Sequence, residues 1–367
     1  MLRVLLTNFH PGDGGGHTTY IKALLTSTHP EIKVHVAVPE TSKIYQFAKS
    51  NGFEPFAVDF PGKLRELKAV ISNCIRLRKI LASQRFHIIH CNGSPDHRLV
   101  LYTLFLIRRA NRPRVVFTKH NSFAIKNNFL TRLRYAVYTD HLIVVCTKLQ
   151  PQFSNLGIPS NGITVIENGV DTAQFRKRHS QRSLSDLRTR LGLPNSGTLC
   201  VSCAGSGLHK GWQYMAEAAK DFPNVYVVVL GTEPDERRLQ DLFGGIQPPN
   251  LIFPGNQSDV RPYLWAANVG FVLSTAVETI SFACREMMAA GLPMIVSDFG
   301  CLPENISDET GWVTKAGNVN SVREALTKAL DADLSAMSVA AQNRANARFK
   351  LSQFQSATLN VYKEVAK

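Results

Sequence analysis

The chain contains no apolar run near the roughly 18 residues that a membrane-spanning helix needs. Its start, Met1 to Thr7, is too short and too soon followed by glycine and Asp13 to serve as a signal peptide, and it reads as a first core strand. No G-x-G-x-x-G follows that strand, and no acid closes the next one at Val38-Pro39 to hold a ribose. A dinucleotide site, and with it a nicotinamide-dependent oxidoreductase, therefore has little support. Nor is there an aromatic-interleaved basic motif or a known nucleic-acid-binding signature, so nucleic acid is not an expected partner. Cys200-x-x-Cys203 lacks the second cysteine pair or nearby histidine pair that would complete a zinc set, and alternation along a strand accounts for it. The seven cysteines (Cys74, Cys91, Cys146, Cys200, Cys203, Cys284 and Cys301) are odd in number and several lie inside apolar runs, which points to a reduced, cytosolic chain. Low-complexity tracts and short-period repeats are absent as well.

What is present is an ordinary globular composition: 44% hydrophobic and 19% charged residues over 367 positions, enough for two domains with separate cores. The charge is not evenly spread. Residues 1–170 hold 22 Lys+Arg against 9 Asp+Glu, whereas residues 171–367 hold 20 against 19, so nearly all of the net +14 belongs to the first half. Much of it lies in Lys63, Arg65, Lys68, Arg76, Arg78, Lys79 and Arg85, and in Arg108, Arg109, Arg112, Arg114, Lys126, Arg132 and Arg134. Leu64, Leu67, Val70, Ile71, Ile75 and Leu77 make the first of these segments amphipathic at helical spacing. Two readings stand side by side: a solvated helix face, or attraction to an anionic membrane surface or a phosphorylated glycolipid.

Short β-branched runs alternate with helix-length segments. Strands are predicted at Val4–Thr7, Val34–Pro39, Phe56–Asp59, Ile88–Cys91, Val115–Lys119, Leu142–Cys146 and Thr164–Ile166. The scheme repeats at Thr198–Cys203, Val225–Leu230, Leu251–Phe253, Val269–Ser274, Met294–Ser297 and Trp312–Thr314. Such alternation predicts an α/β fold of two parallel, helix-covered sheets. Between the two sets, Asn168 to Arg182 carries a turn signal and then a polar, basic stretch, which reads as a hinge. The expected division is a domain over 1–172 and another over 173–350, with a last helix at about 351–367 packing back on the first.

Glu278 and Glu286 stand eight positions apart, between a strand-like run ending at Ser274 and a helix-length segment that Gly291-Leu292-Pro293 stops. If Ser281 to Ala290 is helical, eight residues rise roughly 12 Å, about the reach from a sugar across a diphosphate to a ribose. The first Glu would sit at the turn before the helix and the second further along it, with helix N–H groups between them suited to phosphate. Open α/β sheets bind nucleotides at such switches, although two exposed acids on a helix would leave the same trace. Gly14-Gly15-Gly16 opens a helix after the first strand, so backbone can approach a ligand there, or the turn simply needs glycine. Gly205-Ser206-Gly207-Leu208-His209-Lys210-Gly211 is the second domain's analogue. Lys210 at a helix start opposes the dipole, a small cost that a bound diphosphate would offset. His120 follows a strand at the edge where such sheets take ligands, and a capping or packing role fits it equally well.

Together these segments resemble the retaining GT-B glycosyltransferases of the GT4 type, over essentially the whole chain. The family's E-x7-E signature fits Glu278 and Glu286, followed by Ala289-Ala290-Gly291-Leu292-Pro293, and its NGVD…F stretch fits Asn168 to Asp171 and Phe175. Its strand-end histidine fits His120, its glycine-rich acceptor loop Gly14 to Gly16, its Lys-Gly pair Lys210-Gly211, and its late PE…GW stretch Pro303-Glu304 and Gly311-Trp312. The resemblance implies the GT-B fold, two doubly wound Rossmann-like domains facing across a cleft, acceptor domain first and nucleotide-sugar domain second. It implies that Glu286 holds ribose hydroxyls, while Glu278 and the N–H groups of Ile280, Ser281 and Phe282 hold the sugar and diphosphate. Lys210, with Gly205 and Ser206 on its loop, would stabilise the leaving diphosphate. His120 would contact the donor sugar, and Gly15 and Gly16 would approach a phosphate or the acceptor.

Catalysis would then rest on His120, Lys210 and Glu278, with cation, helix dipole and backbone donors in place of a metal and with no cofactor beyond the donor. The family implies a nucleotide-diphosphate sugar donor, a UDP-sugar first, and retention of the anomeric configuration. The acceptor would be a lipid-linked or lipopolysaccharide-type glycan, met peripherally on the cytoplasmic face of the inner membrane. A non-catalytic sugar-nucleotide or glycan-binding relative is the alternative. Two departures stand out. The family's arginine ahead of the Lys-Gly pair is missing, so either His209 substitutes or Lys210 acts alone. The usual Gly-Phe-Gly after the first Glu is Thr279-Ile280-Ser281, a loop closer to the lipopolysaccharide-core glucosyltransferases.

Overall fold

The computed structural model describes residues 1–27, 29–61, 66–105, 107–176, 184–244 and 248–367. Lys63, Leu64 and Arg65 of the basic segment, and residues 177–182 of the expected hinge, lie outside the described residues. The chain divides into two compact units, Met1–Asn168 with Ser352–Lys367, and Gly169–Leu351.

The first unit is built on a seven-stranded sheet of β1 (Leu2–Thr7), β2 (Ile32–Val38), β3 (Phe56–Ala57), β4 (Ile88–Cys91), β5 (Arg114–Lys119), β6 (His141–Val144) and β7 (Ile163–Val165). The order across it is β3-β2-β1-β4-β5-β6-β7, with all pairs parallel. Leu5, Leu6, Ile88, Ile89, Val115 and Val116 are sealed from solvent, as strands covered on both faces must be, which is why each reads as an unbroken apolar run. The order reverses between β1 and β4, so the crevice for a ligand opens beyond their carboxyl ends. Helices α1 (Gly16–Leu25), α2 (Lys43–Ser50), α3 (Leu67–Ser83) and α4 (Ser94–Leu104) supply the crossovers from β1 to β5. The final helix, Leu351–Val365, joins the same unit: Tyr362 Oη lies 2.6 Å from His90 Nδ1, and the Phe354 ring meets Tyr20 at 5.0 Å.

α3 departs from a plain solvated face. Val70 and Leu77 are buried, yet Leu67, Ile71 and Ile75 are 55%, 51% and 52% exposed. Four-residue spacing puts these three on one stripe, so the outer face of the helix is itself partly apolar.

The second unit repeats the plan with β8 (Thr198–Ser202), β9 (Val225–Leu230), β10 (Leu251–Gly255), β11 (Val269–Val272), β12 (Met294–Ser297) and β13 (Gly311–Thr314), ordered β10-β9-β8-β11-β12-β13 and parallel throughout. Two apolar clusters cover its faces, one around Val201, Val272, Met287 and Phe349, the other around Trp212, Val227, Phe271 and Leu326. Here the switch lies between β8 and β11. Each strand expected from the sequence is present with its ends within two residues. Cys200 is buried in β8 and Cys203 lies just past it, both free thiols, so the Cys-x-x-Cys pair is strand geometry. No described helix is long and apolar enough to cross a membrane.

Candidate active site

In the second unit the loops leaving β8 and β11 meet. Glu278, 9% exposed, receives Lys210 Nζ at 2.9 Å and the Ser274 hydroxyl at 3.2 Å on one oxygen, and the Thr279 N–H at 3.2 Å on the other. A carboxylate so buried requires that set of donors, and the ionised lysine is the strongest of them. Lys210 does not open a helix. It ends a 3-10 turn, Leu208–Lys210, and the helix Trp212–Ala219 begins only after Gly211. Gly211 holds φ at 79°, and a Cβ there would lie 1.9 Å from the Leu273 carbonyl oxygen, so only glycine lets this turn pass against the end of β11. A hydrogen bond from Thr275 N–H to the His209 carbonyl, 2.9 Å, fastens the two loops.

The loop from Val277 to the helix Phe282–Ala289 is strained. Val277 (φ 51°) and Ser281 (φ 52°) are the two non-glycine residues in the left-handed region among the described residues. Ser281 therefore holds a left-handed backbone that favours glycine, and is not a helical residue: it caps the helix, accepting the Cys284 N–H at 3.3 Å. The helix itself starts at Phe282, so the eight-residue interval from Glu278 to Glu286 is part loop and not a single helical rise. The loop is pinned from behind. Cys301 N–H donates to the Thr279 carbonyl at 2.8 Å, and Asn305 Nδ2 to the Ile280 carbonyl at 2.7 Å. Asn305 is held in turn by buried Arg285 at 2.9 Å, whose guanidinium packs 4.2 Å from the Phe349 ring centre. The N–H groups of Ile280 and Ser281 donate to no acceptor among the described residues, leaving two backbone donors beside the Lys210–Glu278 pair.

Glu286 is placed differently. It lies partly buried on the Phe282–Ala289 helix, its carboxyl group has no hydrogen-bond partner among the described residues, and burial pushes that carboxyl up to about 7. Its charge is felt at Cys203, which puts it beside the end of β8. Gly205 (φ 92°) keeps the β8 loop open, but Ser206 has its polar atoms engaged: its hydroxyl donates to the Thr232 carbonyl, and its carbonyl accepts Trp212 Nε1 at 2.7 Å. The loop thus offers a phosphate its backbone and Lys210, not the serine hydroxyl. Burial and the neighbouring Lys210 charge hold the His209 imidazole below its usual range, which makes it a poor replacement for an arginine.

The first unit gathers its own set at the carboxyl ends of β1, β4 and β5. Asn92 Nδ2 donates to the carbonyls of Thr7 (3.1 Å) and His90 (3.2 Å), so its Oδ1 must be the atom facing His120 Nε2 at 3.0 Å. His120 therefore carries its proton on Nε2 and keeps Nδ1 as an acceptor. Burial first, then the nearby imidazoles of His17, His90 and His10, hold it well below the ordinary range, so it is neutral. His17 stands 4.5 Å from the His120 ring and 4.8 Å from that of His10, and burial with the charge of His10 lowers it to about 4. Asn8 Nδ2, His10 Nε2 and His17 Nδ1 are buried without a partner among the described residues, which marks polar atoms that a ligand or water must meet. Gly14 lets the glycine-rich turn lie on the His10 ring, where a Cβ would approach to 3.0 Å, and Gly15 (φ 54°) leads into α1 at Gly16.

The family model for Glycosyltransferase Family 4 matches residues 14–174, and the family model for Glycosyl transferases group 1 matches residues 185–348. The chain belongs to the group 1 glycosyltransferases of the GT4 type. Its relatives include the UDP-Gal:alpha-D-GlcNAc-diphosphoundecaprenol alpha-1,3-galactosyltransferase of Escherichia coli, 27% identical over 73% of this chain and 71% of that one. The sulfoquinovosyl transferase SQD2 of Arabidopsis thaliana is 25% identical over 44% of this chain, which spans only 31% of that protein's length. Anabaena Alr3699/HepE in complex with UDP-glucose superposes with a TM-score of 0.80 over 99% of this chain and 100% of that chain, at 16% identity, which shows a shared GT-B fold.

Within this glycosyltransferase, Lys210, Glu278, Ile280 and Ser281 come together in the second unit, with Phe282 starting the helix that carries Glu286; His120, Gly15 and Gly16 belong to the first. Asn92, Ser274, Asn305 and His17 escaped the sequence reading. Asn92 had a signal, since it follows the apolar run of β4 as His120 follows that of β5.

Proposed function

We propose that the protein transfers a sugar, with retention, from a UDP-sugar to a lipid-linked or lipopolysaccharide-type glycan, without a metal. The observation that carries this reading is the Lys210–Glu278 pair beside the free N–H groups of Ile280 and Ser281. A lysine and two backbone donors meet the charge that builds on a departing diphosphate, and Glu278 can take a sugar hydroxyl as Lys210 turns to phosphate. Glu286 would accept the ribose hydroxyls. The bond from the anomeric carbon to the diphosphate oxygen breaks, the bond to the acceptor oxygen forms on the same face, and the acceptor proton passes to the leaving phosphate. His120 Nδ1, a neutral acceptor, suits a hydroxyl of the donor sugar. The lipid acceptor is supported by the diphosphoundecaprenol substrate named for the Escherichia coli relative. Attachment to the cytoplasmic face of the inner membrane is supported by the charge of the first half and the apolar stripe of α3.

The test is sugar transfer from UDP-sugars to a lipid-linked acceptor by wild type, Lys210→Met and Glu286→Gln, with and without a chelator. Both variants should lose transfer by at least a hundredfold while still unfolding cooperatively, Lys210→Met at a lower midpoint because buried Glu278 loses its ion-pair partner, and the chelator should change nothing. Full activity in both would sink the site assignment. The missing arginine and the uncharged His209 favour one other reading, a relative that binds the sugar nucleotide without turning it over. It would bind UDP-sugar and show neither transfer nor donor hydrolysis on long incubation.

A further inference from the structure

We propose that the first unit carries a second anion site, for the phosphate headgroup of an anionic membrane lipid, in the cavity at the amino-terminal edge of its sheet. That cavity holds about 1080 Å³ and is lined by Arg78, Arg85, His87, Arg112 and Arg114, with no acidic side chain among its lining residues. Arg78 comes from α3 and Arg85 from just after it; His87 precedes β4, Arg112 precedes β5 and Arg114 opens it. The residues of the candidate active site follow Thr7, Cys91 and Lys119, at the opposite ends of the same strands. A ligand in this cavity touches none of them.

The basic groups are positioned, not merely abundant. Arg78 Nε donates to the Thr103 carbonyl at 3.1 Å, and the Arg112 guanidinium packs 5.7 Å from the Tyr138 ring centre. Arg114 reaches Asp140 at 3.2 Å, but that carboxylate also takes Arg109 at 3.2 Å and the Val115 N–H, so one acid is shared between two arginines. His87 Nδ1 accepts the Arg3 N–H at 3.0 Å, which leaves Nε2 carrying the ring proton as a donor. Planar guanidinium groups bind phosphate oxygens in pairs, which a lysine cannot do.

The occupant follows from α3. Leu67, Ile71, Ile75, Arg78 and Ala82 recur at helical spacing along one stripe. The first three are exposed and apolar, and the last two line the cavity. An apolar track that ends in an arginine-lined hollow matches the two parts of one amphiphile, acyl chains along the stripe and phosphate in the hollow. The inference rests on the membrane part of the proposed function and adds to it a saturable site with a defined headgroup.

Flotation with phosphatidylcholine vesicles, with and without phosphatidylglycerol, tests it on wild type, Arg85→Gln/Arg112→Gln, Ile71→Glu/Ile75→Glu, and a control, Lys33→Gln/Lys49→Gln, that removes as much charge from elsewhere on the unit. Calorimetry with free glycerol phosphate separates headgroup from vesicle, and UDP titration reads the donor site independently. Wild type should float only with phosphatidylglycerol. The arginine pair should lose at least tenfold in vesicle affinity and in glycerol phosphate affinity, with UDP binding and thermal midpoint unchanged. The isoleucine pair should lose vesicles and keep glycerol phosphate. Equal losses in the arginine and lysine pairs would mean diffuse attraction and overturn the site, as would glycerol phosphate binding by a wild type that ignores vesicles. Loss of UDP binding in wild type itself would strike the proposed function and leave this inference standing.

Discussion

Glu286 keeps its proton until about 7 because burial disfavours the charged form, whereas an unfolded chain releases it near the ordinary 4.5. The sign follows. Between those two values the native state binds a proton that the unfolded state does not, so this group's contribution to stability falls as pH rises from about 4.5 to about 7 and is level above that. Glu286→Gln should match wild type in thermal midpoint at pH 4.5 and exceed it at pH 8. Ribose hydroxyls need the ionised carboxylate, so UDP binding to wild type should tighten through pH 7 and release a proton, readable by calorimetry in buffers of different ionisation heat. Val277 stores strain of another kind: a β-branched residue at φ 51° with 65% of its surface exposed has backbone to relieve and little packing to lose. Val277→Gly should stabilise the protein by about 1 kcal/mol, checked by urea unfolding. Neither property was visible in the sequence. The two acids were legible by spacing, but which of them meets Lys210 depends on a contact 68 positions away, and a left-handed φ at Ser281 has no glycine to announce it.

Strands were the most legible elements, because a parallel strand covered on both faces writes itself as a short apolar run whatever its neighbours are. α3 was legible as a helix and misleading as a surface, since periodicity tells that Leu67, Ile71 and Ile75 share a stripe but not that the core lies against Val70 and Leu77 instead. The turn from Leu208 to Lys210 was hidden for the opposite reason: a lysine ahead of an apolar stretch looks like a helix start until Gly211 is seen to break it. That glycine sets where Lys210 points. Gly211→Ala would force a Cβ to 1.9 Å from the Leu273 carbonyl oxygen in a backbone region closed to alanine. It should cost more than about 3 kcal/mol, measured by thermal or urea unfolding of the purified variant.

Across the whole molecule, the basic half and the neutral half share one doubly wound plan but differ in charge and in how the chain completes them. The first unit takes its last helix from the far end of the chain, so residues Ser352–Lys367 complete a core begun at Met1. Inside that core Tyr362 supplies the partner of His90, whose imidazole burial lowers to about 3. Deleting residues 352–367 should therefore abolish cooperative unfolding of the first unit and leave that of the second, a change from two calorimetric transitions to one. The sequence carried the doubly wound pattern of both units, but not the identity of the strands that the final helix covers, because amphipathic spacing names a face and never its partner. The split unit also sets an order of events during synthesis. A ribosome releases the whole of the second unit before the first can close, so the nascent first unit waits with its Tyr20–His90 surface bare while a later segment matures. Proteins usually finish their amino-terminal domain first; this one must finish it last, and its exposure to proteases and chaperones is longest where its positive charge is densest.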